Sequence, residues 1–182
     1  MKHSYTVGLS ASGINELLSA IQNYQRWLER KTEELCQRLA EYGVQIANIG
    51  FQGSIYDGSS GDWTVTIEDR GSLQKAVVAR GATVLFIEFG TGVVYPDSHP
   101  EAAKNGMIRG TYGKGHGKQE TWGFYGDDPG SNGVFATNKD GSMKEPSVIL
   151  THGNPANMPM YNAVKAVEFD FNRIVQEVFN SD

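Results

Sequence analysis

The chain has 182 residues, of which 16 are basic and 21 acidic, so its net charge at pH 7 is −5. This length predicts one domain that buries a hydrophobic core without disulfide bonds, and the single cysteine, Cys36, excludes such a bond within the chain. The acidic balance argues against a protein that grips nucleic acid by neutralising phosphates, and neither a membrane span of roughly 18 apolar residues nor a signal peptide is predicted.

The beginning of the chain predicts a short strand followed by a long helix. Tyr5, Val7 and Leu9 alternate with small or polar residues, which is a strand pattern. From Ser12, whose hydroxyl is suited to cap a helix, apolar residues recur at steps of three and four. A break near Asn23 is left open, because two shorter helices would satisfy the same pattern. The apolar stripe consists of Ile14, Leu17, Leu18, Ile21, Tyr24, Trp27, Leu28, Leu35, Leu39, Tyr42 and Ile46.

A β-hairpin is predicted next. Phe51, Ile55 and Tyr56 stand in a stretch rich in glycine and serine and are interpreted as a candidate edge strand. Residues 63–67 alternate apolar and polar side chains, which predicts a half-buried strand. Residues 73–79 form its returning partner after an Asp-Arg-Gly-Ser turn. The sheet is therefore predicted to be mostly an antiparallel meander.

Two helices are considered for the rest of the chain. Residues 82–89 fit either a strand, because of their β-branched side chains, or a short helix that ends at Gly90. The last helix begins near Pro159, whose missing N–H is harmless in a first turn, and it runs for about 20 residues. Its apolar stripe consists of Met160, Ala163, Val164, Val167, Phe171, Ile174, Val175 and Val178.

Residues 93–152 are predicted to form a long arm inserted before the last helix. Residues 90–153 hold 13 of the 22 glycines and four of the six prolines, and they show no sustained period. Aromatic side chains argue against plain disorder, so the arm is expected to be partly ordered and fixed by neighbouring molecules. The predicted fold class is therefore α+β: an antiparallel β-meander packed by a long N-terminal helix and a C-terminal helix, with a long glycine-rich loop insertion, in a single domain of residues 1–182.

No metal, cofactor or catalytic group is predicted from the side chains that could carry one. No zinc motif matches the spacing of the four histidines, which are His3, His99, His116 and His152. The glycine-rich run at 113–118 is similar to a phosphate-binding loop, but Gln119 stands where a Ser or Thr would hold Mg²⁺. Cys36 lies in the predicted first helix and is interpreted as a small buried hydrophobic residue.

Glu88 is the most informative carboxylate, because it lies between apolar residues and before a glycine-bearing turn. A buried acid in such a place can be tuned for general acid catalysis. The alternative, which we favour, is a structural anchor that accepts hydrogen bonds from free backbone N–H groups or pairs with an arginine of a neighbouring subunit.

Two segments carry a resemblance to a known family. Residues 86–92 read Phe-Ile-Glu-Phe-Gly-Thr-Gly, and residues 152–162 read His-Gly-Asn-Pro-Ala-Asn-Met-Pro-Met-Tyr-Asn. Their order and spacing resemble those of the head–tail joining, or tail-completion, proteins in the neck of long-tailed phages. In that family the first segment ends the central fold and the second opens the last helix. Shorter stretches at 56–58 and 115–117 resemble the subgroup from phages of Gram-positive hosts.

The resemblance implies a structural protein of the virion that is assembled in the host cytoplasm and forms a ring of identical subunits, expected to be a hexamer. The ring would join the connector or stopper proteins of the capsid to the tail tube or its terminator. DNA would pass through the lumen without sequence-specific binding, and neither a membrane nor a cofactor is expected to be involved. We expect the contacts with neighbouring subunits or partners to involve Glu88, Phe89, Gly90, Thr91, Gly92, Tyr95, Tyr112, His116, Trp122, Phe124 and Tyr125.

Two alternatives stay open at this point. A tail-tube terminator ring would occupy the same part of the virion. A small hydrolase would use the glycine-rich arm as a lid over Glu88 and His152, although no recognised spacing of nucleophile and base supports it.

Overall fold

Three α-helices and five β-strands lie in the part of the chain that the computed structural model describes, which comprises residues 6–8, 10–54, 62–92, 98–108, 120–129 and 133–181. The longest helix, α1, spans Ala11–Gln52 as one unbroken element of 42 residues, so it does not divide near Asn23. Its N-cap is Ser10 rather than Ser12, because the Ser10 backbone is extended and its Oγ accepts a hydrogen bond from the N–H of Gly13 at 3.1 Å.

The predicted strand before α1 is not formed by residues 6–8. The carbonyl of Gly8 instead accepts a hydrogen bond from the N–H of Ser10 at 2.8 Å, so the chain turns into the helix cap. The outer members of the predicted strand, Tyr5 and Leu9, lie outside the described residues.

The candidate edge strand was predicted to include Phe51, but that residue does not lie in a strand. Phe51 lies in the last turn of the helix and is only 2% exposed, so it is a core residue of α1. The glycine at 50 favours an earlier end of the helix, but the burial of Phe51 in the core outweighs its low helix propensity. Ile55 and Tyr56 lie outside the described residues.

The predicted hairpin is confirmed as two antiparallel strands, β1 (Thr64–Gly71) and β2 (Gln74–Arg80). Val65 lies opposite Ala79 in this pairing. Both side chains pack against a buried cluster, and the ring of Trp63 stacks on the ring of Phe51 with centroids 5.1 Å apart. The hairpin therefore closes the core over the C-terminal end of α1.

The short helix α2 spans Val84–Phe89, so the helix rather than the strand is found at this ambiguous position. Val84 and Ile87 are buried with Phe51 in the core. Gly90 ends the helix with a φ of 81°, a conformation that a residue without a Cβ adopts at little cost.

The last helix was predicted correctly and, within the chain, forms the main partner of α1. This helix, α3, spans Pro159–Asn180 and runs antiparallel to α1. Gly50 lies against Pro159 at one end, and a Cβ at Gly50 would come within 2.7 Å of the proline Cβ. At the other end the ammonium of Lys31, which is 4% exposed, donates to the carbonyl and the hydroxyl of Ser181. The α1–α3 contact therefore extends from about Trp27 to Gly50.

A second antiparallel sheet lies in the segment that was expected to be a loop. Its strands are β3 (Trp122–Tyr125), β4 (Gly133–Phe135) and β5 (Val148–Thr151), in the spatial order β3-β5-β4. Ile149 of the central strand is fully buried. The strands thus form two separate sheets rather than one continuous meander, while the α+β class with antiparallel strands between a long N-terminal and a C-terminal helix is confirmed.

Candidate functional site

The two segments that carry the family resemblance lie directly against each other. We call residues 88–92 and 152–161 together the clasp. The N–H of Thr91 donates to the carbonyl of Asn154 at 2.8 Å, and the N–H of Asn154 donates to the Thr91 hydroxyl, also at 2.8 Å. This reciprocal pair joins the chain after α2 to the chain before α3.

Glycines make this close approach feasible. A Cβ at Gly90 would lie 2.7 Å from the carbonyl oxygen of Asn154, and a Cβ at Gly153 would overlap the carbonyl of Thr91. Both glycines also have positive φ angles, 81° and 94°. Two backbones can therefore touch here only because side chains are absent on both sides.

Glu88 fastens the start of α3 within the clasp. Its carboxylate is buried, with one oxygen accepting from the N–H of Met160 at 2.8 Å and the other from the N–H of Tyr161 at 2.9 Å. These N–H groups belong to the first turn of α3, whose N-cap residue, Met158, makes no side-chain cap hydrogen bond. Glu88 therefore takes the part of a capping residue from a distant position in the sequence.

His99 supplies the third donor to the Glu88 carboxylate. Its Nε2 lies 3.1 Å from Oε1 of Glu88, and its Nδ1 accepts a hydrogen bond from the N–H of Glu101 at 3.0 Å. Because a nitrogen that accepts an N–H carries no proton, the ring proton is assigned to Nε2, which donates to the carboxylate. The imidazole is buried against the rings of Phe89 and Tyr161, with centroid distances of 4.5 and 5.4 Å.

This geometry is that of an anchor that lies inside a single chain. Both oxygens of Glu88 are occupied by donors from the same chain, and no arginine is among these three donors. The expected backbone N–H partners are thus present, and they belong to α3. Sequence reasoning did not identify His99 as a partner, because no motif or spacing links it to Glu88.

The other predicted contact residues fall into three groups. Four of them, Phe89 to Gly92, belong to the clasp with Glu88 and are buried or half-buried. Trp122, Phe124 and Tyr125 all lie on strand β3 of the second sheet. Tyr95, Tyr112 and His116 lie outside the described residues.

His152, which the hydrolase alternative placed with Glu88 under the lid, contacts other residues. Nδ1 of His152 lies 3.1 Å from the Thr121 hydroxyl and 3.2 Å from the carbonyl of Glu120. No three His, Cys, Asp or Glu side chains gather in a group that could hold a metal ion within the described ranges.

The second sheet has one apolar face that is open to solvent. Tyr125 is 74% exposed and Val134 is 64% exposed, while Val148 and Leu150 between them are half-buried. Tyr125 pairs with Val148, and Val134 pairs with Leu150, so the four side chains share one side of the sheet. We call these four residues the outer sheet face.

None of the helices in the described part of the chain is both long enough and apolar enough to cross a bilayer. Comparison of the chain with models of known families, with characterised proteins and with solved structures gave no match.

Proposed function

We propose that this protein is a structural component of a phage neck, where it forms a ring of identical subunits between the capsid connector and the tail tube. The observation that carries the proposal is the clasp. The two segments on which the resemblance rests are separated by about 60 residues of sequence, yet they contact each other through Thr91 and Asn154. If the two segments resembled the family only by chance, there would be no reason for them to contact each other.

Assembly with other molecules is supported by apolar side chains that the core does not use. In the outer sheet face, Tyr125 lies opposite Val148 and Val134 lies opposite Leu150, and both partners belong to the central strand β5. The exposed Tyr125 and Val134 therefore belong to one contiguous apolar patch and are not scattered residues. Such patches are typical of surfaces that bind other proteins. Tyrosine is also enriched in the buried centres of interfaces.

The clasp gives the proposed ring a rigid subunit. It ties α2 to α3, and α3 is in turn tied along its length to α1. A contact that repeats from one subunit to the next closes into a ring only if each subunit holds its two binding surfaces at a fixed angle. We expect the clasp to fix that angle and the exposed apolar surfaces to make the contacts.

The proposal is tested by removing the protein from the virus that encodes it. Loss of a joining ring should leave filled heads and tails of normal length that do not join, and purified protein added to the mixture should restore tailed particles. The terminator alternative predicts tails of abnormal length instead. Normal yields of infectious particles without the protein would overturn both assignments.

A matched pair of variants connects this test to the structure. Tyr125→Asp places a charge in the outer sheet face and should reduce joining, whereas Asp127→Asn, a change at an exposed residue just after β3, should not. Equal yields from the two variants would remove the outer sheet face from the proposed contacts.

A further inference from the structure

A compact turn that follows α2 is inserted into the clasp by a buried histidine. We call this turn, residues 98–108, the plug. It is built from local hydrogen bonds, such as the one from the N–H of Met107 to the carbonyl of Ala102 at 2.8 Å. Within the plug only His99 and Ala102 are buried, and the ring of His99 lies against the clasp. The plug can therefore move as a unit that keeps its own hydrogen bonds, provided that His99 leaves the clasp.

His99 contacts both halves of the clasp. Its ring centroid lies 4.5 Å from that of Phe89 at the end of α2 and 5.4 Å from that of Tyr161 in the first turn of α3. Its Nε2 lies 3.1 Å from Oε1 of Glu88, the same oxygen that accepts the N–H of Tyr161 at 2.9 Å. The plug and the start of α3 are therefore bound to one carboxylate oxygen.

The start of α3 depends on this carboxylate. Its N-cap residue, Met158, has a φ of 57° and a ψ of 39°, a left-handed conformation that is unfavourable for residues other than glycine. Met158 also precedes Pro159, and a residue before a proline favours an extended backbone. Since Met158 makes no side-chain cap hydrogen bond, the N–H groups of Met160 and Tyr161 rely on Glu88. Without Glu88 a strained turn would lose its cap.

The donors to Glu88 support one another. A buried carboxylate keeps its position only while hydrogen bonds offset the loss of water around its charge. When His99 withdraws, Glu88 loses one of its three donors, and its hold on Met160 and Tyr161 weakens. When the first turn of α3 moves away, two donors are lost, and the carboxylate is no longer held where His99 can reach it. Each contact therefore makes the others more favourable.

We infer that the plug and the first turn of α3 form a coupled conformational switch, in which withdrawal of His99 from the clasp loosens the start of α3. The coupling acts equally in the opposite direction, because it is a free energy that the two events share. A partner that draws the plug out thereby loosens the helix that packs on α1. The inference concerns the chain by itself and does not rest on the proposed place in a phage neck.

Amide hydrogen exchange tests the effect of the plug on α3. His99→Phe keeps a ring beside Phe89 and Tyr161 but has no donor for Glu88, whereas His99→Gln keeps an N–H that can reach the carboxylate. We expect the amides of Met160 and Tyr161 to exchange roughly tenfold faster or more in His99→Phe, and at rates closer to wild type in His99→Gln. Equal rates in His99→Phe and wild type would overturn the coupling. Equal acceleration by both variants would overturn the role of the shared carboxylate.

Dilute urea distinguishes release of this turn from loss of the whole fold. Local opening exposes little surface, so exchange through it is nearly independent of urea, whereas exchange through global unfolding accelerates with urea. We expect the faster exchange of Met160 and Tyr161 in His99→Phe to be present without urea and to stay constant as dilute urea is added. Acceleration that requires urea would overturn a switch confined to the plug and the start of α3.

Proteolysis tests the effect of α3 on the plug. Met158→Gly removes the strain of the left-handed turn, and Met158→Ala is the matched control, because it removes most of the side chain but keeps the strain. Lys104 is exposed in the plug, where the N–H of Asn105 is bonded to the carbonyl of Glu101, so trypsin cleaves after Lys104 when the plug opens. We expect severalfold slower cleavage there in Met158→Gly than in Met158→Ala.

Equal cleavage of the two Met158 variants after Lys104 would overturn transmission from α3 to the plug. Met158→Gly relieves strain and removes no hydrogen bond, so it is expected to fold even if a His99 variant does not. The comparison of Met158→Gly with Met158→Ala then decides the inference by itself.

Discussion

Glu88 is a single residue that holds both the start of α3 and His99, because its carboxylate accepts hydrogen bonds from the first turn of α3 and from the imidazole of His99. Replacing it by glutamine turns one oxygen into an amide nitrogen, which then faces an N–H group. We expect Glu88→Gln to destabilise the protein by about 1–3 kcal/mol, the usual cost of leaving a buried donor unsatisfied. Urea denaturation of Glu88→Gln beside the exposed control Glu168→Gln measures the difference. Equal stabilities would show that the carboxylate does not act as the cap of α3.

An alanine at Gly153 would meet two costs at once, backbone strain and steric overlap, and a comparison with Gly141 separates them. Its φ of 94° is unfavourable for other residues, and a Cβ would overlap the carbonyl of Thr91. Gly141 has a similar φ, 86°, but no atom lies within 4 Å of the position that a Cβ would take there. We expect Gly141→Ala to cost about 1–2 kcal/mol from backbone strain alone, and Gly153→Ala to cost clearly more.

The measurement is thermal unfolding of the two alanine variants under identical conditions. A larger loss at Gly153 would show that the close approach of the clasp backbones contributes beyond strain. Equal losses at both positions would contradict the tight packing of Thr91 on Gly153.

At the scale of residues, the sequence indicated which side chains matter but not all of their partners. Glu88 was predicted as an anchor because it stands among apolar neighbours before a glycine turn. Its partner His99 could not be predicted, since the pairing depends on how the chain returns after residue 92. The donors from Met160 and Tyr161 are more than 70 residues away, and only the family resemblance related the two segments.

At the scale of elements, α1 and α3 are linked by a polar cluster around the carboxylate of Asp170. The Tyr42 hydroxyl donates to Asp170, and Arg173 donates to the same carboxylate at 2.9 Å. The hydrogen bond from Arg173, followed by the one from Tyr42, holds the pKa of Asp170 below its ordinary value. A carboxyl group whose pKa is lowered by folding stabilises the protein above its unfolded pKa and loses this contribution as the pH falls through the folded pKa.

Tyr42→Phe should therefore be less stable than wild type at neutral pH, and the difference should shrink as the pH falls through the acidic range in which Asp170 is protonated. Chemical denaturation at a series of pH values gives the difference directly. Tyr125→Phe, at an exposed tyrosine, serves as the control and should show no such trend. If the difference in stability between Tyr42→Phe and wild type does not change with pH, the ionisation of Asp170 is not its cause.

Long periodic elements were predictable from sequence, and short strands were not. The apolar stripes of α1 and α3 persist over many turns, so their existence and type follow from periodicity. The strands β3, β4 and β5 have only four, three and four residues, which is too short for an alternating pattern to emerge among glycines. Their pairing is non-local, because β5 lies between two strands that precede it in sequence.

At the scale of the whole molecule, the acidic balance fits the proposed ring, through which DNA would slide. With a net charge of −5 per subunit, a ring lacks the excess of Lys and Arg that would hold the phosphate backbone. We expect no binding of duplex DNA to the purified protein at physiological salt, as measured by fluorescence anisotropy. Tight binding that weakens steeply with added salt would contradict passive passage of DNA.

Two sets of apolar side chains are not used by the core: the outer sheet face, and Ile14, Leu18 and Ile21 near the start of α1. They lie on separate elements, and each shows side chains that are about half or more exposed. A subunit with two such surfaces can bind a copy of itself with one and a different protein with the other. This division suits the proposed ring, which would contact both its own subunits and the structures above and below it.

Cryo-electron microscopy of virions from the phage proposed to encode this chain tests the central claim most directly. We predict a closed ring of identical subunits at the junction between connector and tail tube, with a fold of two antiparallel sheets and the α1–α3 helix pair in each subunit. A junction built wholly from other proteins, with this chain absent from the particle or located elsewhere in it, would contradict the proposed place in the neck.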